Sequence, residues 1–488
     1  MVFARPGPGV VAVTNPQMIT PATERVLAEL ATGDEHAILQ AMYEQLQAVL
    51  AHNQLKTTYY EAHHSLRDLQ IALPPALRGL DTVVGWPGMV VDVLDERLEV
   101  DGFIAADGSP LDGWQQVWAD NEMPTAASEA HVPAMVCGIS FLAVGSGAEG
   151  EPDPLLTVQS ALNTTMAWNV RSRAPVAAAN FAYESGQPVE ATLYLPDQTV
   201  QLGRGQAGWL VDSRDRHELG RVPVFPLINR PSALQPLGRS EITRPIITLT
   251  DAAVRTVVGM EVSREFYSAP QRYLLGARET AFRRPDGRQM SGWEAIMGRV
   301  WAIRRDESGQ TPTVGQFPAT SPEPYIGQLR VLSQLVAAEA AIPVHFLGFV
   351  TDNPASGDAI RRGEGRLLKR TDRRKRAFGG LGWGPAMRLA LAIRANVPLD
   401  QIPPVAPVWA DSSIPTVGAS ADAVLKLVTA GVLPDRDDVT WRMAGLSEAD
   451  RAHLAAWAAQ AEQAEASQAA AALTAVPRAE EPSTPPTQ

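Results

Sequence analysis

Nine of the sixteen residues from Arg361 to Arg376 are basic: Arg361, Arg362, Arg366, Lys369, Arg370, Arg373, Arg374, Lys375 and Arg376. Only Glu364 and Asp372 oppose them, so the stretch stands at +7 and the rest of the chain at −19, for a total of −12. Cations at this density can grip phosphates, or they can form a charged face that is solvated or paired with carboxylates. Neutralising six to ten phosphates would make binding tight and steeply salt dependent. Overall acidity argues against a general nucleic-acid binder, but one strongly basic segment in an acidic chain points to a specific placement of charge.

Other chemistries leave weaker traces. Gly203-Arg-Gly-Gln-Ala-Gly208 has the spacing of a dinucleotide-binding turn. That motif needs a helix directly after it, whereas Trp209-Leu-Val-Asp-Ser reads as a strand, so a β-turn is expected. There is no phosphate-binding G-x-x-x-x-G-K-[ST], no H-E-x-x-H and no G-x-S-x-G. His63 and His64 with Glu61 lack a third ligand, and adjacent helical residues do not face the same way. His345 reads as a packing residue in an apolar turn, and Asp437-Asp438 as a solvated helix end. The single Cys137 excludes an intrachain disulfide framework and any multi-cysteine metal site. No catalytic residue, metal or cofactor is expected.

The basic stretch needs elements to position it. Ser321-Pro-Glu is a helix start, with a capping hydroxyl, a pre-set φ and a carboxylate at the positive end of the dipole. Ile326, Leu329, Leu332, Leu335 and Val336 recur at helical spacing, and Pro343 ends the helix near Ala341. Turn formers fill Thr351 to Asp358, and from Ala359 the helical pattern resumes through the arginines. Gly379-Gly-Leu-Gly-Trp-Gly-Pro breaks or kinks that helix before Met387 to Ala395. Upstream, Glu35 to Tyr60 reads as a helix, Trp86 to Phe103 as a helix passing into a strand, and Gly138 to Val144 as a strand. Trp114 and Trp118 share a helical face, and Thr192 to Leu202 forms a hairpin across Pro-Asp-Gln. A further helix is expected from Thr250, with its hydroxyl as cap, to a stop before Pro270. After Pro403-Pro404, Pro407 and Pro415 come helices at Ala419 to Thr429, Asp435 to Met443 and Ser447 to Ala472.

Length implies more than one structural region. No apolar run approaches bilayer length and the first residues lack the apolar core of a signal peptide, so a soluble product made without export is expected.

The helix ending in Ile342-Pro-Val-His-Phe-Leu-Gly, the Asn353-Pro-Ala-Ser loop and the basic helix after it resemble the tunnel region of tailed-bacteriophage portal proteins. Pro223-Val-Phe-Pro-Leu-Ile-Asn-Arg-Pro with Gly238-Arg-Ser-Glu-Ile resembles that family's passage from wing to stem, and the likeness runs from about Glu35 to Ala472. It implies a mixed α+β portal fold: an α/β wing, a two-helix stem, a small α/β clip, a tunnel loop with a long helix, and a helical C-terminal crown. The implied bounds are a flexible arm at 1–34, wing at 35–244, first stem helix at 245–275, clip at 276–320 and second stem helix at 321–342. The tunnel-loop region follows at 343–358, the basic helix and return to the wing at 359–415, the crown at 416–475 and a disordered tail at 476–488.

By the same resemblance the chain is a non-enzymatic homo-oligomer, a dodecamer, at one capsid vertex of the virion, assembled in the host cytoplasm. It passes double-stranded DNA non-specifically during genome packaging, retention and ejection. Terminase large subunit and then a head-tail connector or adaptor dock on the clip, and major capsid and scaffold proteins surround the ring. Thr351, Asp352, Asn353, Ser356 and Asp358 would face the DNA, and Arg283, Arg284, Arg288, Arg304 and Arg305 would serve clip docking. Because a channel that lets DNA slide cannot clasp it at every subunit, most cations of the basic helix are expected to meet acidic groups of the same or neighbouring chains. A capsid adaptor without a channel, and a nucleic-acid-processing enzyme subunit, are the alternatives. The first would show no ring and the second would need clustered metal ligands.

Overall fold

The computed structural model describes residues 19–64, 82–206, 208–268, 272–275, 288, 313–316, 321–348, 357–412, 417–446 and 448–474. Two helices open it, α1 (Ile19–Thr32) and α2 (Glu35–Tyr60). Asp34 caps α2 by accepting from the amides of His36 and Ala37. Then come α3 (Trp86–Asp95), β1 (Val100–Ala105), α4 (Trp114–Asp120) and α5 (Met123–Cys137). A β-rich run follows: β2 (Ile139–Gly145), β3 (Leu155–Ser160), β4 (Thr164–Asn169), β5 (Ala174–Glu184), β6 (Gln187–Tyr194), β7 (Thr199–Gly205), β8 (Gly208–Asp215) and β9 (Val224–Ile228).

Helix α6 (Arg244–Ser268) leaves this region. Two short strands, β10 (Arg272–Leu275) and β11 (Thr313–Gln316), pair antiparallel, and α7 (Glu323–Ala340) returns. A 3-10 turn at Val344–Leu347 precedes the basic helix α8 (Gly357–Phe378). A π-helical turn at Gly379–Trp383 carries the chain into α9 (Gly384–Ala395), and β12 (Val405–Trp409) closes the unit. Residues from Ser413 form a second compact unit with α10 (Val417–Thr429), α11 (Asp438–Met443) and α12 (Glu448–Thr474).

Among the described residues every sheet is antiparallel. β4 to β8 make a five-stranded meander, β3-β2-β9 a three-stranded sheet, and β1 pairs with β12. The expected hairpin is present, with Tyr194 opposite Thr199. Gly203 to Gly208 is the β7–β8 turn rather than a nucleotide cradle, because a strand follows it. One core lies between α1, α2 and the meander, around Ile38, Met42, Leu46, Phe181 and Leu193. The larger core joins α3, α4, α5, β2, β9 and the ends of α6, α7 and α8 around Leu94, Phe225, Phe378 and Trp383. Trp114 and Trp118 both meet the Phe103 ring edge-on, at 5.7 and 5.2 Å.

Five expectations change. Within the arm expected to be flexible at 1–34, Ile19–Thr32 form helix α1, whose Val26 is buried in the core with α2 and the meander. Helix α6 begins at Arg244, six residues before Thr250, and the buried Thr250 hydroxyl donates to the Ile246 carbonyl at 2.8 Å instead of capping. Helix α8 begins at Gly357, so Asp358 lies in its first turn and not in a loop. His345 is exposed against the Phe346 ring instead of packed inside. The apolar stripe of α7 is split: Val336 is buried, while Ile326 and Leu335 are 37% and 49% exposed. Ser333, Ala337 and Ala340 take the inward positions instead. Thr351, Asp352, Asn353, Ser356, Arg283, Arg284, Arg304, Arg305 and both chain ends lie outside the described residues, and Arg288 is exposed.

Candidate functional site: the basic helix and its anchors

At 100° per residue the cations of α8 divide between two faces. Arg366, Lys369, Arg373 and Arg376 fall within an arc of about 80° and are exposed. Arg370, Arg374 and Lys375 turn inward with Leu367, Thr371 and Phe378. Arg361 and Arg362 lie in the first turns, their side chains outside those described.

The inward face is held by one carboxylate. Glu241 is fully buried; Oε1 accepts from Arg374 Nη2 and from Asn229 Nδ2 at 3.0 Å, and Oε2 from Arg370 Nη2 and from Arg230 Nη1 at 3.3 Å. Arg374 Nη1 also donates to the Arg370 carbonyl at 2.6 Å. Burial alone would raise the Glu241 pKa; Arg374, Arg370 and Arg230 override it and hold the carboxyl below its usual range. Burial works against the charges of Arg370 and Arg374 in turn, and the carboxylate offsets it in part.

Local backbone chemistry explains how Glu241 comes to be there. The chain after β9 is fastened to the α5–β2 turn: the Asn229 amide donates to the Gly138 carbonyl at 2.9 Å and the Glu241 amide to the Met135 carbonyl at 2.8 Å. Asn229 Nδ2 closes the loop on the Arg239 carbonyl at 2.7 Å. Gly238, at φ 82°, is where these strands cross; a Cβ there would sit 2.4 Å from both the Asn229 and Gly138 carbonyl oxygens. That loop therefore delivers a carboxylate to an arginine helix about 130 residues further on.

Further contacts fix the ends of α8. Glu364 faces Arg97 at 3.9 Å, and the Arg97 guanidinium lies over the Phe346 ring at 5.6 Å. Lys375 Nζ donates to the Ala410 carbonyl just past β12. Beyond Phe378 the π-helical turn lets the helix bend against β12; at Gly384 a Cβ would stand 2.4 Å from the Val405 carbonyl oxygen. Trp383, fully buried, donates its indole N–H to His131 Nε2 at 2.9 Å, so the His131 proton is on Nδ1, 3.7 Å from Asp95 Oδ1. Ser128 donates to the other Asp95 oxygen, and the His131 ring stacks on Phe378 at 5.5 Å. Burial pushes His131 down to about 3 and Asp95 up to about 6. His131 is thus neutral at pH 7 and packs against the end of α8.

Helices α6 and α7 run antiparallel: Gly259 lies beside Tyr325, and Thr243 Oγ1 donates to Glu339 Oε1 at 3.2 Å. An open groove of 730 Å³ lies along them, lined by Pro245, Thr248, Leu249, Leu335 and Ala338, with Arg244 and Glu339 at its rim. Among the described residues no helix is long and apolar enough to cross a membrane, and no three His, Cys, Asp or Glu stand together as metal ligands.

The sequence named the basic helix but neither anchor. Glu241 stood only within the Gly238-Arg-Ser-Glu-Ile segment and Trp383 only within the glycine-rich break, neither with a role, and His131 and Asp95 were not singled out.

The family model described as "Phage portal protein, SPP1 Gp6-like" matches residues 50–467. The portal protein of Mycobacterium phage D29 is 32% identical over 416 residues, covering 82% of this chain and 84% of that protein. That of Mycobacterium phage L5 is 31% identical over 423 residues, with the same coverage. Among solved structures, a chain from the neck of a native gene transfer agent (GTA) particle computed with C12 symmetry is 13% identical with a TM-score of 0.43, covering 78% of this chain and 94% of that one.

Proposed function

The chain belongs to the phage portal protein family, and from that premise we propose that its copies close into a ring, a dodecamer, whose bore passes double-stranded DNA without reading its sequence. The ring stands at one capsid vertex of the virion after assembly in the host cytoplasm, and its part is structural rather than catalytic. The observation that carries this reading is the division of α8. Part of its charge is neutralised inside the subunit by Glu241, and only the stripe Arg366, Lys369, Arg373 and Arg376 is offered outward. A bore lined by all nine cations in every copy would hold the polyanion instead of letting it slide.

In the ring, the outward stripe meets acidic groups of the neighbouring copy, with a minority of cations at the bore. The groove between α6 and α7, with Leu335 and Val331 exposed beside it, is covered by the next subunit. Helices α6 and α7 are the stem and residues 276–320 the clip. There Arg283, Arg284, Arg288, Arg304 and Arg305 contribute to docking terminase large subunit and, later, a head-tail connector. Thr351, Asp352, Asn353 and Ser356 face the DNA, and the unit from Ser413 is the crown. Major capsid and scaffold proteins surround the wing.

Electron microscopy of the purified chain tests the proposal. Rings with a central hole are expected, and a population of compact monomers at all concentrations overturns it. Arg366→Glu combined with Arg373→Glu is expected to abolish rings or DNA packaging; normal rings that package normally would remove α8 from the mechanism.

A further inference from the structure

The charges around Glu241 do not balance. Arg230, Arg370 and Arg374 bring three positive charges to one carboxylate, and both of its oxygens are already taken by them and by Asn229. Guanidinium does not lose its proton in proteins, so an excess of two positive charges remains. Lys56, buried on α2, adds a further cation within the field of Glu241. Arg370 Nη1 and Arg374 Nε are buried and have no acceptor among the described residues. An N–H in that position is costly to leave unmade, more so on a charged group.

Among the described residues the cluster meets solvent at Arg230 and Arg370. Side-chain exposure rises from nothing at Glu241 through 3% at Arg374 and 16% at Arg370 to 27% at Arg230. Arg230 itself sits at φ 53°, the left-handed region in which a long side chain is uncommon and strained. The chain thus holds a cation at the mouth of the cluster in an unfavourable backbone conformation.

We propose that this mouth is half of a binding site, completed by a carboxylate from a second copy of the chain seated against Arg230 and Arg370. The inference rests on the ring reading and names a contact by which one subunit finishes the site of the next. A carboxylate fits because Arg230 and Arg370 are the partly exposed cations of the cluster, and the added negative charge removes half of the excess. A second copy is the favoured source because the chain outside Arg361 to Arg376 carries −19 and supplies acidic surface in every neighbour. DNA is disfavoured because a polymer of phosphates calls for a row of cations, and among the described residues of α8 that row is the outward stripe.

The test combines coupling and assembly. Rings are assembled from equal parts of light and ¹⁵N-labelled chain carrying Arg230→Lys and treated with a zero-length carbodiimide. Amide links from the introduced amine to an Asp or Glu of the other isotope are expected; coupling only to Glu241 within one chain overturns the proposal. In parallel, Arg230→Gln is expected to raise the protein concentration needed for rings about tenfold, more than any fall in the melting temperature of the unassembled chain accounts for. An unchanged ring-forming concentration overturns the inference and leaves the ring reading standing, whereas wild-type chain that never forms rings overturns both. Inorganic phosphate at constant ionic strength is the third arm. If it raises the melting temperature of the unassembled wild type and not of Arg230→Gln, the site takes a free oxyanion and not a second copy.

Discussion

Helix α8 carries cations on two faces, and they live in different physics. Arg374 and Arg370 are 3% and 16% exposed and locked to Glu241, whereas Arg366, Lys369, Arg373 and Arg376 stand in solvent. In the first case the desolvation of each charge is several kcal/mol and only a well-placed partner makes it tolerable. In the second, screening by water and salt leaves little energy in any one charge. Residue type alone therefore says nothing about what an arginine in this helix does. The difference is made by a loop more than a hundred residues away that ends in a carboxylate.

The largest effect that would break this contrast is at Glu241. Glu241→Gln keeps the side-chain shape and leaves three neighbouring guanidiniums, that of Arg374 buried, to repel one another, so a loss of about 3 kcal/mol is expected in denaturant unfolding of the unassembled chain. Adding Arg370→Gln should return part of that loss, since it removes one of the repelling charges and lies in the same network. A cost below about 1 kcal/mol for Glu241→Gln would mean that the inward arginines are not held by charge at all.

A second contrast sharpens the first: the middle of α8 is pinned by full charges, its end by His131, which stays neutral. His131 has a folded pKa of about 3 against 6.5 unfolded, so the unfolded chain binds the extra proton and stability falls as pH drops below 6.5. Asp95 has the opposite sign. Its folded pKa of about 6 against 3.8 means that the folded chain takes up the proton, and stability rises as pH drops through 6. Between pH 7 and 5 the two amount to about 2 kcal/mol lost and about 1 kcal/mol gained, so the pair partly cancels. Asp95→Asn should uncover the His131 loss, and its stability should fall by about 2 kcal/mol from pH 7 to 5. His131→Gln should instead grow more stable over the same interval. Parallel pH profiles for wild type and both variants would show that neither group titrates as its burial demands.

Much of this arrangement was legible before any coordinates. Helix α2, the β6–β7 hairpin, the strand-turn-strand around Gly203 and the α7–turn–α8 order follow from periodicity, proline and turn residues acting over a few positions. The failures have physical reasons. Thr250 has the chemistry of a cap, but its hydroxyl can equally bond back one turn, and Pro245 at the second position of α6 marks the real start. Ile326 and Leu335 looked like core by hydropathy and face outward, because small Ser333, Ala337 and Ala340 let α7 approach its neighbours. Glu241 gave no local sign, since its partners stand 129 and 133 residues away. A periodicity argument sees one element at a time, whereas an ion cluster is a property of three.

The smallest effect is expected on the outward stripe, and it is the most telling about function. Arg366, Lys369, Arg373 and Arg376 are spaced three and four apart, so each sits beside a like charge, a pairing that costs a few tenths of a kcal/mol in a helix. Lys369→Ala and Arg373→Ala remove that repulsion and introduce the best helix former. Unfolding of the unassembled chain should therefore be unchanged or up to about 0.5 kcal/mol more favourable to the folded state, most visibly at low salt. A loss above about 1 kcal/mol would make these side chains structural and erase the distinction between the two faces. If the expected result holds while the same variants weaken ring formation or DNA passage, the stripe serves nothing within its own subunit, and its charge acts only on what lies across from it.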